Sequence, residues 1–337
     1  MSDCRVFVGL DYHQNAVQVC VMDGKGVMLA NRTCANDWRA IVAVVLRHGR
    51  AVEVALESCS GAADLADELA IQADWSVQLA HPGYVSRMKQ SPDKSDYTDA
   101  RMLADLVRVG YLPRVWLAPQ ETRELRRLVR YRQQLVNERR NVKLRIRALL
   151  REQRCRCQRY TAWTAPWLDW VEHTEALSEQ GRWIIARYLT RIQQLSADIF
   201  EVGRRLAQVT ADDPMVELLR SLPGIGLVTA WTLRAEIGRF DRFRTGKQLS
   251  RFCGLSPRNA SSGERQADAG LIKAGNPSLR ATVIEAAHRL IRWEPRWRAL
   301  GERMRARGKP GSVVAAAVGN RWLRWLYHQL QPTPVAA

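Results

Sequence analysis

The order of strand-like and helix-like segments in the N-terminal third restricts the fold more than any other feature of the chain. Three apolar, strand-like segments follow one another, and they are predicted at residues 5–10, 16–22 and 27–30. The turn sequence Asp23-Gly24-Lys25-Gly26 joins the second to the third. The later segments alternate helix with strand before ending in helices, and they are predicted at 37–47 (helix), 51–56 (strand), 62–72 (helix), 75–80 (strand), 84–89 (helix) and 98–109 (helix).

Three consecutive strands followed by alternating helices and strands indicate a ribonuclease-H-like mixed sheet. A doubly wound sheet is the competing fold, but it is built from strand–helix repeats and would not begin with three strands in a row. We therefore assign residues 1–115 to an α/β domain of this type. The rest of the chain is predicted to be all-α, so the fold class is α/β plus all-α.

Two acidic side chains end neighbouring strands of the predicted sheet. The first strand ends in Gly9-Leu10-Asp11 and the fourth in Ala55-Leu56-Glu57. In a ribonuclease-H-like sheet these strands are parallel neighbours, roughly 4.8 Å apart. Two carboxylates held that close repel each other unless a proton or a cation lies between them. Because carboxylate oxygens are hard ligands, the pair favours Mg²⁺.

Asp96 and Asp99 add two further acids at a spacing that places both on one face of a helix. Taken alone, Asp96 is better interpreted as a helix N-cap, and Asp11 as a polar strand end. Together with Glu57 the set of four predicts a site for two Mg²⁺ ions, roughly 3.5–4 Å apart, that clamps a phosphodiester. Asp105 is a lower-ranked alternative acid.

The histidine and cysteine residues predict no second metal site. His13 lies two residues after Asp11, either beside the metals or, the interpretation we favour, at the surface. The seven cysteines are odd in number and show no zinc-knuckle spacing. Cys155 and Cys157 are best interpreted, like the others, as free thiols in a reducing cytoplasm.

The net charge favours a polyanionic partner. Lys and Arg number 52 against 34 Asp and Glu, giving +18 and a pI of about 10.2. Nucleic acid is the commonest partner of such a protein. A membrane surface would also suit the charge, but the apolar runs at 40–46 and 313–318 are too short to span a bilayer, and the N-terminus does not resemble a signal peptide.

Residues 116–211 are predicted to form a long, basic helical hairpin. Between residues 123 and 159 there are 14 Arg or Lys against three Glu, and a second helical pattern follows at 183–209. A solvated coiled-coil face is the alternative, but charges of one sign repel unless a partner neutralises them. Trp163, Trp167 and Trp170 would either stack on bases or pack the hairpin tip. The predicted nucleic-acid contacts on this helix are Arg126, Arg130, Arg139, Arg140, Lys143 and Arg147.

The C-terminal part, residues 212–331, is predicted to be mostly helical, with a short tail at 332–337. Leu222-Pro223-Gly224-Ile225-Gly226 precedes a helical pattern and resembles a helix–hairpin–helix. In that motif Gly224 and Gly226 would let backbone N–H groups approach a phosphate. A plain glycine turn between helices is the alternative.

A set of motifs along residues 5–328 resembles the insertion-sequence-110 family of transposases, the DEDD-type recombinases. In chain order the motifs are G-L-D, A-L-E, K-x-D-x-x-D-A-R, the arginine-rich helix, P-G-I-G, G-L-x-P-R, S-S-G and K-x-G-N-x-x-L-R. The resemblance implies a RuvC-like N-terminal domain whose four acids correspond to Asp11, Glu57, Asp96 and Asp99. It also implies a C-terminal transposase domain with a nucleophilic serine.

Ser262 fits the serine of that family best, because it directly precedes a glycine, and Ser261 is the runner-up. Where many relatives carry Gly-Gly after the serine, this chain has Gly263-Glu264. The family further implies DNA as substrate, a structured guide RNA that pairs with it, and a homodimer or homotetramer. Lys273, in the K-x-G-N motif, is a further expected nucleic-acid contact.

Two other functions fit parts of the sequence. A hydrolytic junction nuclease with the same sheet would need the four acids but not Ser262. A non-catalytic nucleic-acid-binding protein would need only the charge. We favour the recombinase because the motifs of both halves occur together and in order.

Overall fold

A computed structural model describes residues 5–88, 95–259, 268–272 and 275–331. The chain divides into two units, 1–118 and 119–337. The first is a mixed α/β unit, and the second is mostly helical. This confirms the coarse prediction of a mixed α/β part followed by a mostly helical part. The helical hairpin and the C-terminal part, predicted as separate domains, fall in the second unit together.

The first unit is built on a six-stranded mixed sheet with the strand order β3-β2-β1-β4-β5-β6. β1 pairs antiparallel with β2 and parallel with β4, as expected from the sequence. The strands are β1 (Arg5–Tyr12), β2 (Ala16–Asp23), β3 (Met28–Ala35), β4 (Arg50–Glu57), β5 (Val77–Ala80) and β6 (Arg114–Val115), and the helices are α1 (Trp38–Val45), α2 (Ala62–Ala73), α3 (Pro82–Met88) and α4 (Asp96–Arg108).

Helices cover both faces of this sheet. On β1, Val6, Val8 and Leu10 point to one face, where they are fully buried in a core shared with residues of α1 and α2. The other face, to which Phe7, Gly9 and Asp11 belong, is covered by α4. The alternation of side chains along β1 therefore separates an apolar core from the face that carries the acids.

Gly9 lets α4 approach the sheet more closely than any other residue type would allow. A Cβ at this position would lie inside van der Waals distance of the Ala100 carbonyl oxygen and the Ala104 amide nitrogen. On the helix side the contact is made by alanines, and Cys20 of β2 lies in the same small cluster. The helix backbone therefore rests almost directly on the strand.

The second unit begins with an antiparallel pair of long helices, α5 (Gln120–Glu152) and α7 (Glu179–Val209). Their interface buries Leu135 and Val142 against Leu195 and Ile199. The short helix α6 (Ala165–His173) closes the far end of the pair. Trp167 is buried there beside Ile146 and Ile185, and Trp163 packs on it with ring centroids 4.7 Å apart. These tryptophans therefore form the packed hairpin tip, one of the two expected roles.

The remaining helices of the second unit enclose a larger core. This core includes Leu125 and Val129 of α5, so the start of the basic helix belongs to the body of the unit. Trp322 is fully buried at its centre. The elements are α8 (Pro214–Ser221), α9 (Leu227–Ile237), α10 (Gly246–Phe252), β7 (Pro257–Asn259), β8 (Asp268–Leu271), α11 (Pro277–Trp293), α12 (Pro295–Ala306) and α13 (Gly311–Gln329).

Predicted and observed boundaries of strands and helices differ most where the residues are polar and give no apolar pattern. β3 runs to Ala35 rather than to residue 30, because it is an edge strand with largely exposed side chains and lacks an apolar signal. α5 ends at Glu152, within the basic segment, and Arg154 just beyond it has a φ of 57°. The two-residue strand β6 and the β7–β8 pair were not predicted.

Gly9→Ala is expected to destabilise the protein, because the added methyl group must push α4 away from β1. Overpacking of a close-packed contact costs about 1–3 kcal/mol, measurable as a fall in the free energy of unfolding in urea. Gly24→Ala is the control, since nothing lies within 4 Å of a Cβ at that turn position. Equal effects of the two substitutions would contradict the close approach described for Gly9.

Candidate metal centre and nucleic-acid surfaces

The four acids predicted from the sequence lie close enough together to influence one another. Asp11 and Glu57 end the parallel neighbours β1 and β4, and Asp96 and Asp99 stand in the first turn of α4. Burial, together with repulsion by Asp96, Asp99 and Glu57, raises the pKa of Asp11 to about 6, and attraction to His13 opposes this rise. Asp11 is 15% exposed. The other three acids therefore surround a carboxylate that is costly to ionise.

The close approach of α4 at Gly9 explains why helix and strand acids meet. Asp11 lies two residues beyond Gly9 along β1, a distance of roughly 6.6 Å in a strand. Asp96 lies four residues before Ala100 along α4, a distance of roughly 6 Å in a helix. Because Ala100 packs on Gly9, the first turn of α4 is level with the end of β1.

Hydrogen bonds to β3 hold the first turn of α4 in place. The Asn31 side-chain amide donates to the Tyr97 carbonyl oxygen at 2.9 Å, and the Tyr97 hydroxyl lies 3.4 Å from the Met28 sulfur. Asn31 is itself fixed by Gln18, whose side-chain amide donates to it at 2.7 Å. Gln18 is the partner of Asp11 in the β1–β2 register. A chain of hydrogen bonds therefore runs from Gln18, beside Asp11, through Asn31 to the first turn of α4.

His13 lies beside two of the acids, although the sequence favoured a surface role for it. Its Nε2 atom is 3.0 Å from Asp96 Oδ2 and 3.6 Å from Asp11 Oδ2. The side chain is half exposed. The spacing of two residues from Asp11 was the only available signal, and it does not reveal that the turn after β1 directs the ring toward α4.

Asp105, the lower-ranked acid, has a different partner. It forms an ion pair with Arg108 at 2.6 Å, and Arg108 also donates to the Gly24 carbonyl oxygen at 3.3 Å. These contacts join the C-terminal half of α4 to the β2–β3 turn. Asp105 therefore stabilises the position of the helix.

The donor set fits a divalent cation. Asp11, His13 and Asp96 each offer one ligand atom, and these atoms lie within 4.8 Å of one another. Glu57 and Asp99 supply further carboxylate oxygens in the same electrostatic neighbourhood. Such an excess of negative charge is what a hard cation such as Mg²⁺ would offset.

The six basic residues predicted on α5 separate into two groups. Largely buried Arg126 and exposed Arg130 both pair with a carboxylate inside the second unit, as described below. Arg139 donates to the Ser196 hydroxyl at 3.1 Å, while Arg140 is exposed. Lys143 lies over the Trp163 ring at 4.6 Å, and Arg147 lies 6.0 Å from the same ring. The last four residues therefore leave a cationic surface along the outer half of the helix.

A buried carboxylate accounts for the first group. Glu236, near the end of α9, is 3% exposed and accepts two hydrogen bonds from Arg130 at 2.7 and 2.9 Å. Arg126 lies 3.8 Å from it and donates to the Ala235 carbonyl oxygen. Asn276, the N-cap of α11, donates to Glu236 at 2.8 Å. Sequence reasoning missed this network, because nothing in the α9 pattern marks Glu236 as buried.

The glycine turn before α9 borders an open cleft. Gly224 has a φ of 80° and packs on Leu290, so a side chain there would be both strained and obstructed, whereas space around Gly226 is open. The cleft has a volume of about 570 Å³ and is also lined by Arg289 and Trp293. Trp293 is 65% exposed. A cation, an aromatic face and the N-terminal end of a helix are features that bind a nucleic-acid backbone and its bases.

A second basic surface continues from this cleft along α12. Between residues 292 and 309 there are seven Arg or Lys against two Glu. Among the described residues none of the seven forms an ion pair, and all are exposed. The sequence analysis did not select this segment, although its local charge was a visible signal. The seven residues are Arg292, Arg296, Arg298, Arg303, Arg305, Arg307 and Lys309.

Three of the predicted site residues, Ser261, Ser262 and Lys273, lie outside the described residues. Their roles stay predictions. Among the helices that are described, none combines the length and apolar character needed to cross a membrane.

Asp11→Asn is expected to stabilise the metal-free protein at neutral pH. The pKa of Asp11 is about 6 in the folded chain against an ordinary 3.8. The protonated form therefore stabilises the fold fully below pH 3.8, and this contribution is lost as the pH rises through 6. An uncharged Asn avoids that loss, so the free energy of unfolding in EDTA should rise by about 2 kcal/mol at pH 7.5 and change little at pH 4.

Asp105→Asn tests whether any loss of a negative charge on this unit would stabilise it. This substitution removes the pairing with Arg108, so it is expected to leave stability unchanged or lower it. A gain at pH 7.5 from Asp105→Asn but not from Asp11→Asn would contradict the electrostatic description of the site.

Comparisons with known proteins identify the family to which the chain belongs. Residues 8–154 match the DEDD transposase family of IS110, and residues 216–302 match the transposase family IS116/IS110/IS902. The transposase for insertion sequence element IS1111A of Coxiella burnetii is 26% identical over 294 residues, covering 87% of this chain and 79% of the relative.

Two other relatives have a comparable sequence identity. A probable family 20 transposase of Pseudomonas aeruginosa is 28% identical over 329 residues, covering 95% of each chain. The transposase for insertion sequence element IS1328 of Yersinia enterocolitica is 29% identical over 238 residues, 69% of each chain. With both family models matched in order and relatives aligned over most of its length, the chain belongs to the IS110 family of insertion-sequence transposases, which are DNA recombinases.

Proposed function

We propose that this transposase cuts and rejoins DNA in a metal-dependent reaction for which Asp11, Glu57, Asp96 and Asp99 hold the cations. The observation that carries the proposal is the convergence of carboxylates from β1, β4 and α4 around Asp11, whose pKa they raise. A cluster of this kind is unfavourable in a protein that has no use for a cation. Family membership supplies the substrate class, DNA.

The four acids would hold one or two Mg²⁺ ions by their carboxylate oxygens. When bound, such ions stabilise charge on a phosphodiester and orient the attacking and leaving oxygens. Buried Asp99 and largely buried Asp11 would provide the fixed part of the site, and half-exposed Asp96 its open side. The hydrogen bonds from β3 to the start of α4 would keep these ligands in position.

The rejoining step is proposed to use Ser262. Its hydroxyl loses a proton and forms an ester bond with the phosphorus, while the bond to one sugar oxygen breaks and that oxygen takes up a proton. Attack on the phosphoserine by a hydroxyl of another strand restores a phosphodiester and frees the serine. The energy of the broken bond is conserved in the ester, which distinguishes recombination from hydrolysis.

The basic surfaces are proposed to bind the nucleic acids. Arg139, Arg140, Lys143 and Arg147 on α5 would contact the backbone of a structured guide RNA, and the turn at Gly224 and Gly226 would contact DNA. The proposal includes assembly as a homodimer or homotetramer. An RNA that copurifies with the protein and is lost when these four α5 cations are replaced by Gln would support the RNA assignment.

Replacement of a metal ligand tests the cleavage step. Asp99→Asn is nearly isosteric but removes a charged oxygen donor, so strand cleavage with Mg²⁺ is expected to fall by more than about 100-fold. Normal thermal unfolding of the variant would show that the fold is kept. Full cleavage activity in a folded Asp99→Asn protein would overturn the metal-dependent mechanism.

Ser262→Ala separates a recombinase from a hydrolytic nuclease. We expect it to abolish both strand exchange and the covalent protein–DNA species seen on denaturing gels, while Ser261→Ala keeps both. Retained strand exchange in Ser262→Ala would remove the serine from the mechanism. Retained cleavage without rejoining would indicate a hydrolytic enzyme.

The α12 surface is tested by removing three exposed charges. The triple variant Arg303→Gln, Arg305→Gln and Arg307→Gln is expected to weaken DNA binding. Each lost phosphate contact should lower the slope of log affinity against log salt by about 0.9, which binding titrations at several salt concentrations will measure.

The matched control removes three arginines whose charge is already neutralised. Arg127, Arg191 and Arg204 pair with Glu124, Glu138 and Glu201, respectively. Replacing these three by Gln should leave the salt slope nearly unchanged. Equal losses in the two triple variants would show that total charge, and not the α12 surface, determines DNA affinity.

A further inference from the structure

We infer that His13 is itself a ligand of the divalent cation, so that the site combines imidazole and carboxylate donors and binds Mn²⁺ in preference to Mg²⁺. This inference rests on the proposed metal-dependent function. It adds a nitrogen ligand to the four acids that the family resemblance implies. It also changes the expected cation, because a purely acidic site would favour Mg²⁺.

The donor atoms lie near the positions that they would take around an octahedral cation. With metal–ligand distances of about 2.1 Å, adjacent donors lie about 3.0 Å apart and opposite donors about 4.2 Å apart. His13 Nε2 lies 3.0 Å from Asp96 Oδ2 and 3.6 Å from Asp11 Oδ2. One atom from each of the three residues falls within 4.8 Å of the others. Only small movements would therefore place all three around one ion.

The backbone presents the His13 ring from a turn that is held at both ends. The His13 amide donates to the Ala16 carbonyl oxygen at 2.9 Å, which closes the β1–β2 turn. The side-chain amide of Asn36 donates to the carbonyl oxygens of His13 and Gln14, both at 3.1 Å. A ligand carried by a hydrogen-bonded turn loses less freedom on metal binding than one on a loose loop.

The chemistry of imidazole determines the expected selectivity. Mg²⁺ prefers oxygen ligands and retains water, whereas transition-metal ions accept imidazole nitrogen together with carboxylates. Affinity at a nitrogen-containing site rises along the series that begins with Mn²⁺. Mn²⁺, which accepts an imidazole nitrogen as well as carboxylate oxygens, is therefore expected to bind this site more tightly than Mg²⁺.

The alternative role for His13 is an ion pair with Asp96 that a bound cation would displace. The two roles give different spectra. A coordinated imidazole transfers electron spin from Mn²⁺ to ¹⁴N, which pulsed electron paramagnetic resonance detects, and a displaced imidazole does not. The measurement does not depend on catalytic activity.

The experiment titrates Mn²⁺ into the full-length, metal-free protein and records the ¹⁴N coupling. We expect a coupling in the wild type that changes when its histidines are labelled with ¹⁵N, and that is lost in His13→Gln. The ¹⁵N-labelling measurement uses the wild-type protein, so its result is valid even if a substitution impairs folding. His173→Gln is the matched control, because His173 also lies beside a carboxylate, 3.3 Å from Asp169.

Affinities measured in parallel provide the second readout. His13→Gln is expected to weaken Mn²⁺ binding by about 10-fold or more and Mg²⁺ binding by much less. His13→Asp, which substitutes an oxygen donor, should bind Mg²⁺ well and show a lower ratio of Mn²⁺ to Mg²⁺ affinity than the wild type.

The outcomes separate this inference from the proposed function. Mn²⁺ binding that is lost in Asp11→Asn but shows no ¹⁴N coupling would overturn the role of His13 and keep the acidic site. Absence of any Mn²⁺ or Mg²⁺ binding in the wild type would overturn both. An unchanged ratio of affinities in His13→Gln would likewise exclude His13 as a ligand.

Discussion

The contact of helix α4 with strand β1 is the interaction on which the candidate metal centre depends. Because Gly9 has no side chain, the helix backbone at Ala100 and Ala104 rests on the strand. The helix start then lies level with Asp11. This packing buries Asp11 and brings like charges close to it, and burial together with that repulsion raises the pKa of Asp11 to about 6. The apolar core on the opposite face of the sheet supplies the stability that keeps them in place.

In the second unit a buried negative charge is balanced by arginines of the same unit. Buried Glu236 is matched by Arg126 and Arg130 and by the amide of Asn276. A carboxylate buried without such partners would cost several kcal/mol, so these arginines contribute to the stability of the fold. Among the described residues, the cations on the outer half of α5 and on α12 pair with no buried carboxylate, and they form the proposed nucleic-acid surface.

The parts of the site that sequence patterns predicted are those controlled by local periodicity. Strand alternation placed Asp11 and Glu57 at strand ends, and helical spacing placed Asp96 and Asp99 on one face. The position of His13 was not predictable in this way, because it depends on a turn whose direction is set by hydrogen bonds from Asn36. The burial of Glu236 likewise depends on helices distant in sequence.

By itself the sequence determined the main strands and helices of the first unit, the four acids predicted as a site and the excess of positive charge, since all of these follow from residue type and spacing. Only the tertiary structure decided which charged side chains pair with other residues of the protein and which stay exposed at the surface, where a ligand can reach them. Arg130 and Arg303 are chemically identical and both are exposed, but Arg130 donates two hydrogen bonds to a buried carboxylate, whereas Arg303 forms no ion pair among the described residues. The free energies of burying and pairing a charged side chain depend on neighbouring residues, and these come together only when the chain folds.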